Sequence, residues 1–135
     1  MNAVEIEEAV SELALQPFEA KEFPFSFLEA FGNKSTTIKK LRSGTSNKTD
    51  VDDAILQRNN IHIATSKKGK VSETLEILRK SPATKKSKVE YILATDGIDF
   101  QAENVYNGET VVCEYKDFHN YFGFFLSLAN ITTVK

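Results

Sequence analysis

The segment Val89-Glu90-Tyr91-Ile92-Leu93-Ala94-Thr95 constrains the fold more than any other. It is rich in strand-forming residues, and its apolar run is nearly unbroken. A strand with one face in water alternates in polarity, so this run predicts a strand covered on both faces. A sheet built around it needs a packed layer on each side, and amphipathic helices elsewhere in the chain must supply those layers.

Candidates for those layers are legible. Val4, Ile6, Val10 and Leu13, with Ala9 and Ala14, recur at three- and four-residue steps and predict a helix over about residues 3–15. Its acidic first turn suits the positive end of the helix dipole, and Pro17 ends it. Phe23, Pro24, Phe25, Phe27, Leu28 and Phe31 form a second element, with Pro24 near the first helical position and Gly32-Asn33 as a left-handed stop. These phenylalanines are read as core before they are read as a ligand cage. Ser35-Thr36-Thr37 is expected to cap a third helix, with Ile38 and Leu41 inward and Lys39, Lys40 and Arg42 outward. Residues 43–50 form a polar loop with no apolar anchor, expected to be the most mobile internal segment.

Ala54 to Gln57 and Ile61 to Ala64 read as two strands, a candidate hairpin turned at Asn59-Asn60. Val71, Leu75 and Leu78 mark a helix over about 71–80, with Arg79 and Lys80 at its C-terminal end and Pro82 closing it. Ala83 to Lys88 is a basic stretch of helix or loop. After the central strand, Asp96-Gly97 turns the chain into Ile98 to Ala102, and Asn107-Gly108 signals a tight hairpin into Thr110 to Tyr115. Phe118, Tyr121, Phe122, Phe124, Phe125, Leu126 and Leu128 make a tail too apolar for water. It is expected to dock on the sheet, on another chain or on a following domain, with Phe122, Phe124 and Phe125 as contact residues. The fold class is therefore α/β or α+β, a mixed sheet flanked by helices.

At 135 residues the chain is one domain, and its 41% hydrophobic and 27% charged residues are those of an ordinary globular protein. The net charge of −2 does not by itself argue for nucleic acid or a membrane. The distribution is uneven, since residues 1–31 hold seven Glu against one Lys. Lys39, Lys40, Arg42, Arg58, Lys67, Lys68 and Lys70 are candidates for a surface that touches DNA phosphates, the plainer alternative being a solvated face. A single cysteine, Cys113, forms no internal disulfide and suits a reducing compartment. No apolar run approaches membrane-span length and the acidic N-terminus is no signal peptide, so the cytoplasm is the expected location and no membrane partner is expected.

Chemistry-bearing clusters are sparse. Asp50, Asp52 and Asp53 could be metal ligands or merely a turn leading into a strand. Glu103, Glu109 and Glu114 read as solvent-facing. His62, between Ile61 and Ile63, reads as a packed or hydrogen-bonded histidine, and with His119 it does not specify a metal site. Cys113 reads as a buried, inert thiol. There is no Gly-rich phosphate loop, no Cys-x-x-Cys pair, no Ser/His/Asp set and no Asn-Pro-Pro-Tyr-type motif of amino-methylating enzymes. These residues cannot run methyl transfer on their own.

Two blocks carry a resemblance. Phe27-Leu28-Glu29-Ala30-Phe31-Gly32-Asn33-Lys34 and the stretch from Tyr91 to Leu128, including Phe122-Gly123-Phe124, resemble the N-terminal domain of type IIL restriction–modification (MmeI-like) enzymes and related adenine-specific DNA methyltransferases. The resemblance implies a restriction-endonuclease-like fold. It also implies a longer parent chain that uses S-adenosylmethionine, and the close at Thr132-Thr133-Val134-Lys135 is read as a segment of such a chain. In the nuclease-bearing branch an aspartate and a downstream Glu-x-Lys hold a divalent metal. Here the Glu-x-Lys falls on Ala64-Thr65-Ser66 and the aspartate near Asp52 or Asp53. Alanine offers no oxygen to a hard cation. A shift of register to reach Lys67 puts Thr65 in the carboxylate's place and turns every strand residue over.

The resemblance thus implies a degenerate, non-cleaving module, with no cofactor of its own, packing on downstream domains of the same chain and touching DNA at most through phosphates. Two alternatives stand beside it. One is an active metal-dependent nuclease with a migrated motif of Asp52 or Asp53 with Lys67 or Lys68. The other is a free-standing interaction domain that uses its aromatic tail.

Overall fold

The computed structural model describes residues 2–129. Three helices come first: α1 (Ala3–Leu15), α2 (Phe23–Ala30) and α3 (Ser35–Arg42). A hairpin of β1 (Ile55–Gln57) and β2 (Ile61–Thr65) follows, then α4 (Val71–Lys80) and α5 (Pro82–Lys86). Strands β3 (Tyr91–Thr95), β4 (Asp99–Asn104) and β5 (Thr110–Glu114) lead to a 3-10 segment, Tyr115–Ala129, kinked at Tyr121. The reading of Thr132 to Lys135 lies outside the described residues.

The five strands form one sheet in chain order. Only β2 and β3 are parallel, with Ile61 opposite Tyr91 and Thr65 opposite Thr95, and the α4–α5 crossover makes that pairing possible. All other neighbours are antiparallel. Every residue of β3 is buried, as its unbroken apolar run demands. On one face, Ile61, Ile63, Tyr91, Leu93 and Phe100 pack under α1, α2, α3 and the 3-10 segment. On the other, Leu56, Ala64, Ile92 and Ala94 pack under Val71, Leu75 and Leu78 of α4 and Ala83 of α5.

Local chemistry sets the boundaries. Asn2 caps α1 through a capping box, its side chain accepting from the Glu5 N–H at 2.9 Å while the Glu5 carboxylate accepts from the Asn2 N–H. The expected cap on α3 is not made: Lys34 is the N-cap, Ser35 is already helical, and no side chain bonds the free N–H groups. Pro82 opens α5 at its first position, just after Ser81 turns extended and ends α4. Asn59 takes the left-handed conformation in the β1–β2 turn, as its short amide side chain permits. The β4–β5 connection is longer than a two-residue turn. It spans residues 105–109, with the Gly108 N–H bonded to the Asn104 carbonyl at 2.8 Å.

The aromatic tail docks on the chain's own sheet. Phe118 stacks parallel on Phe100 at 4.9 Å between centroids, and Phe125 meets Phe27 edge-on at 5.2 Å. Phe125, expected to be available to a partner or a following domain, is instead fully buried in this core. Phe122 and Phe124 stay partly exposed at its margin. Nine buried phenylalanines and tyrosines crowd this face, so the tail's hydrophobic demand is met largely within the chain.

Candidate functional site

The β1–β2 hairpin and the parallel β2–β3 pair place the C-terminal end of β2 at the edge of a cleft of about 770 Å³. Open α/β sheets commonly bind ligands beyond the carboxyl ends of parallel strands. One wall is the loop before β1, with Asp50, Asp52 and Asp53; the other comes from Ala20, Lys21 and Pro24; the floor holds Thr65, Ser66 and Lys67. The three weak nuclease candidates, Asp52, Asp53 and Lys67, therefore share one cleft.

The wall loop is tied down, contrary to the expectation of a loose segment. The Asn47 side chain accepts from the Thr49 and Leu56 N–H groups and donates to the Ala54 carbonyl at 3.1 Å. Asp50 accepts from the Ser81 hydroxyl and from the Ala83 N–H, and those bonds, the Ser81 one foremost, hold its carboxyl below the usual range. Polar residues thus replace the missing apolar anchor by bonding backbone groups that would otherwise be unpaired.

Beneath the loop, His62 is fully buried. Its Nδ1 lies 2.9 Å from Thr84 Oγ1 and its Nε2 2.6 Å from Thr49 Oγ1. Thr84 spends its own proton on the Leu78 carbonyl at 2.7 Å, so His62 Nδ1 donates to Thr84 and Nε2 accepts from Thr49. Burial lowers the imidazole pKa to about 4, outweighing the opposing pull of the Asp50 charge. His62 is a neutral pin between loop and helix.

The carboxylates of this cleft all come from the loop before β1, and the β2 side of it supplies none. Ala64 points into the α4 core and is 3% exposed, Thr65 Oγ1 donates to the Ala20 carbonyl at 3.2 Å, and Asp50 is engaged by Ser81 and Ala83. Among the described residues no group of three or more His, Cys, Asp or Glu side chains is arranged to hold a metal. The basic turn after β2 is occupied as well. The Asp96 carboxylate accepts the Gly69 N–H at 2.8 Å, along with those of Ile98 and Asp99. Burial pushes the Asp96 carboxyl up, but these donors outweigh it and hold it low.

The family profile described as MmeI, N-terminal domain, matches residues 1–135, the whole chain. The chain belongs to the MmeI N-terminal domain family. No curated protein and no solved structure matches it.

This MmeI-type domain distributes its cations over separate places. Lys67, Lys68 and Lys70 follow the C-terminal end of β2, whereas Arg58 precedes its N-terminal end. A five-residue strand, about 16 Å, lies between them. Lys39 and Lys40 are exposed on α3. Arg42 is engaged elsewhere, with both guanidinium nitrogens 2.9 Å from Glu22 oxygens and the group 4.2 Å above the Phe25 ring. Lys70 pairs with Glu73 at 3.4 Å.

The other singled-out residues of the MmeI-type domain have plain surroundings. Cys113 is half-buried in β5, and burial, with Asp117 and Glu114 nearby, pushes its thiol up to about 11. His119 lines a shallow groove with Glu7, Glu8 and Glu12. Glu103 is bonded to Arg79 at 2.9 Å, which its solvent-facing reading did not anticipate. No helix among the described residues is long and apolar enough to cross a membrane. Tyr106, Lys85 and Lys88 were not singled out from the sequence, although the basic stretch before β3 and the exposed aromatic near Asn107-Gly108 were both visible there.

Proposed function

We propose that this MmeI-type domain is a non-cleaving N-terminal module of a restriction–modification or phage-defence enzyme that methylates DNA adenine with S-adenosylmethionine. Its part is to pack on the domains that follow it in the same chain and to add phosphate contacts through Lys39, Lys40, Lys67 and Lys68. The observation that carries this reading is the floor of the cleft. Where a metal-dependent nuclease of this arrangement needs a carboxylate on β2, Ala64 is buried and Thr65 and Ser66 bond backbone carbonyls. With acids on one wall only, a metal-activated water has no second anchor. Family membership supports the restriction-enzyme setting, and the S-adenosylmethionine-using parent chain and the cytoplasmic location are part of the proposal.

The test has two arms. Supercoiled DNA incubated with the protein across a wide range of Mg²⁺ and Mn²⁺ should remain intact. The gene downstream of the Lys135 codon should encode a Gly-rich cofactor segment and an Asn-Pro-Pro-Tyr-type motif. A stop codon there removes the methyltransferase parent.

A second reading rests on Asp52, Asp53 and Lys67 lining one cleft: a nuclease with a migrated motif. It requires metal-dependent nicking that Asp53→Ala abolishes, and such nicking would replace the first reading.

A further inference from the structure

A second groove, of about 420 Å³, opens at the other end of the sheet. Its place follows from register: Val89 leads into the start of β3, and Val105 and Tyr106 follow the end of β4, where Asn104 pairs with Tyr91. The cleft described above lies at the opposite end, beyond Thr65.

Three observations single it out. The first is a fixed aromatic platform: Tyr106 is 66% exposed, yet its hydroxyl donates to the Lys88 carbonyl at 2.7 Å, which restrains the ring in a groove it lines with Val89 and Val105. The second is charge. Arg79 is neutralised by Glu76 and Glu103, but no ion pair among the described residues engages Lys85, Lys86 or Lys88. The third is backbone conformation. Lys88 has φ +54°, in the left-handed region where glycine is favoured and a lysine is strained. The turn closes α5, with the Val89 N–H on the Thr84 carbonyl at 3.3 Å, and it sets the lysine at the groove's rim.

We propose that this groove binds an unpaired nucleotide of a nucleic-acid strand, its base stacked on Tyr106 and the flanking phosphates held by Lys85 and Lys88. An apolar floor with a rigid ring suits a base's π-face, and unpaired cations beside it suit the anionic backbone. An acidic polypeptide would satisfy the lysines but leave the ring face without a matching plane. A paired duplex would satisfy the lysines but hide its bases. The site is separate from the cleft and does not depend on whether that cleft cuts DNA.

Fluorescence anisotropy with a short labelled oligothymidylate tests this directly. The protein should bind it more tightly than a duplex of the same length, and polyglutamate should compete poorly. Tyr106→Ala should weaken binding about tenfold or more, while Tyr106→Phe, which keeps the ring but loses the bond that fixes it, should weaken binding measurably less. Lys88→Gly should weaken binding without lowering the melting temperature, because glycine accepts the backbone conformation. Combined with Lys85→Gln, it should flatten the salt dependence by about 1.4 in log–log slope, two contacts at about 0.7 each. No binding, equal binding of the duplex, indifference to Tyr106→Ala, or full displacement by polyglutamate would each overturn the proposal.

Discussion

The Thr49 hydroxyl donates to His62 Nε2 across 2.6 Å, joining the loop before β1 to the buried centre of β2. With the bond from His62 Nδ1 to Thr84 at 2.9 Å, one neutral imidazole links three parts of the chain. The histidine carries no catalytic chemistry in this arrangement. It fixes the wall of the cleft.

Stability should therefore depend on pH through His62. Its folded pKa, about 4, lies below its ordinary value of 6.5, so the unfolded chain takes up the proton more readily. The native state loses stability as pH falls through 6.5 and levels off below about 4. The full effect is on the order of 3 kcal/mol. In urea unfolding at a series of pH values, His62→Gln should be less stable at pH 7 and show a flatter profile over that window. An unchanged profile in the variant would assign the dependence to other groups.

Gly97 has φ +87°, and a Cβ placed there would stand 2.5 Å from the Phe18 ring. Gly97→Ala should cost roughly 2–3 kcal/mol, from the left-handed backbone and the displaced ring together. Thermal unfolding measures it. Gly44→Ala provides the contrast, since φ is +87° there too but no atom lies within 4 Å, leaving the backbone cost alone.

Phe125 and Phe122 should separate in a truncation series. Phe125 touches Phe27, Phe31, Tyr91, Phe100 and Phe124, so Phe125→Ala should cost about 3–5 kcal/mol. Phe122 sits at the core's margin, and Phe122→Ala should cost less than about 2 kcal/mol. Equal costs would mean the tail packs otherwise than described.

Cys113 should react slowly with thiol reagents at pH 8, because a thiol pushed up to about 11 holds almost no thiolate there. Asp117→Asn should speed the reaction modestly by removing a nearby negative charge. A fast wild-type reaction would show the thiolate to be stabilised.

Most of the architecture was legible because it follows from local pattern. The unbroken apolar run through Tyr91 to Thr95 announced a strand buried on both faces, and the spacing of Ile6, Val10, Leu75 and Leu78 announced helix faces. Long-range and conformational facts were not legible. Nothing near Asn47 or Thr49 indicates that their side chains bond strand β1 and a histidine on β2. Nor does Phe125 reveal whether a residue of its own chain or of another will cover it; only the fold brings Phe27 and Phe100 beside it. The candidate site divided along the same line. Asp52, Asp53 and Lys67 were named from the pattern and share a cleft, whereas the seven basic residues, equally plain in the sequence, are dispersed by the fold. Lys88 was legible only as part of a basic stretch, because the fold alone brings Tyr106 beside it.

The packing of α1 along the 3-10 segment ties the first and last described elements into one layer. The first helix and the last described segment lie against one another on one face of the sheet, so each covers apolar surface of the other. The groove lined by Glu7, Glu8 and Glu12 belongs to that layer, whereas Lys85 belongs to α5 on the other face of the sheet. The acidic groove and the lysines can therefore take different neighbours without competing for the same space.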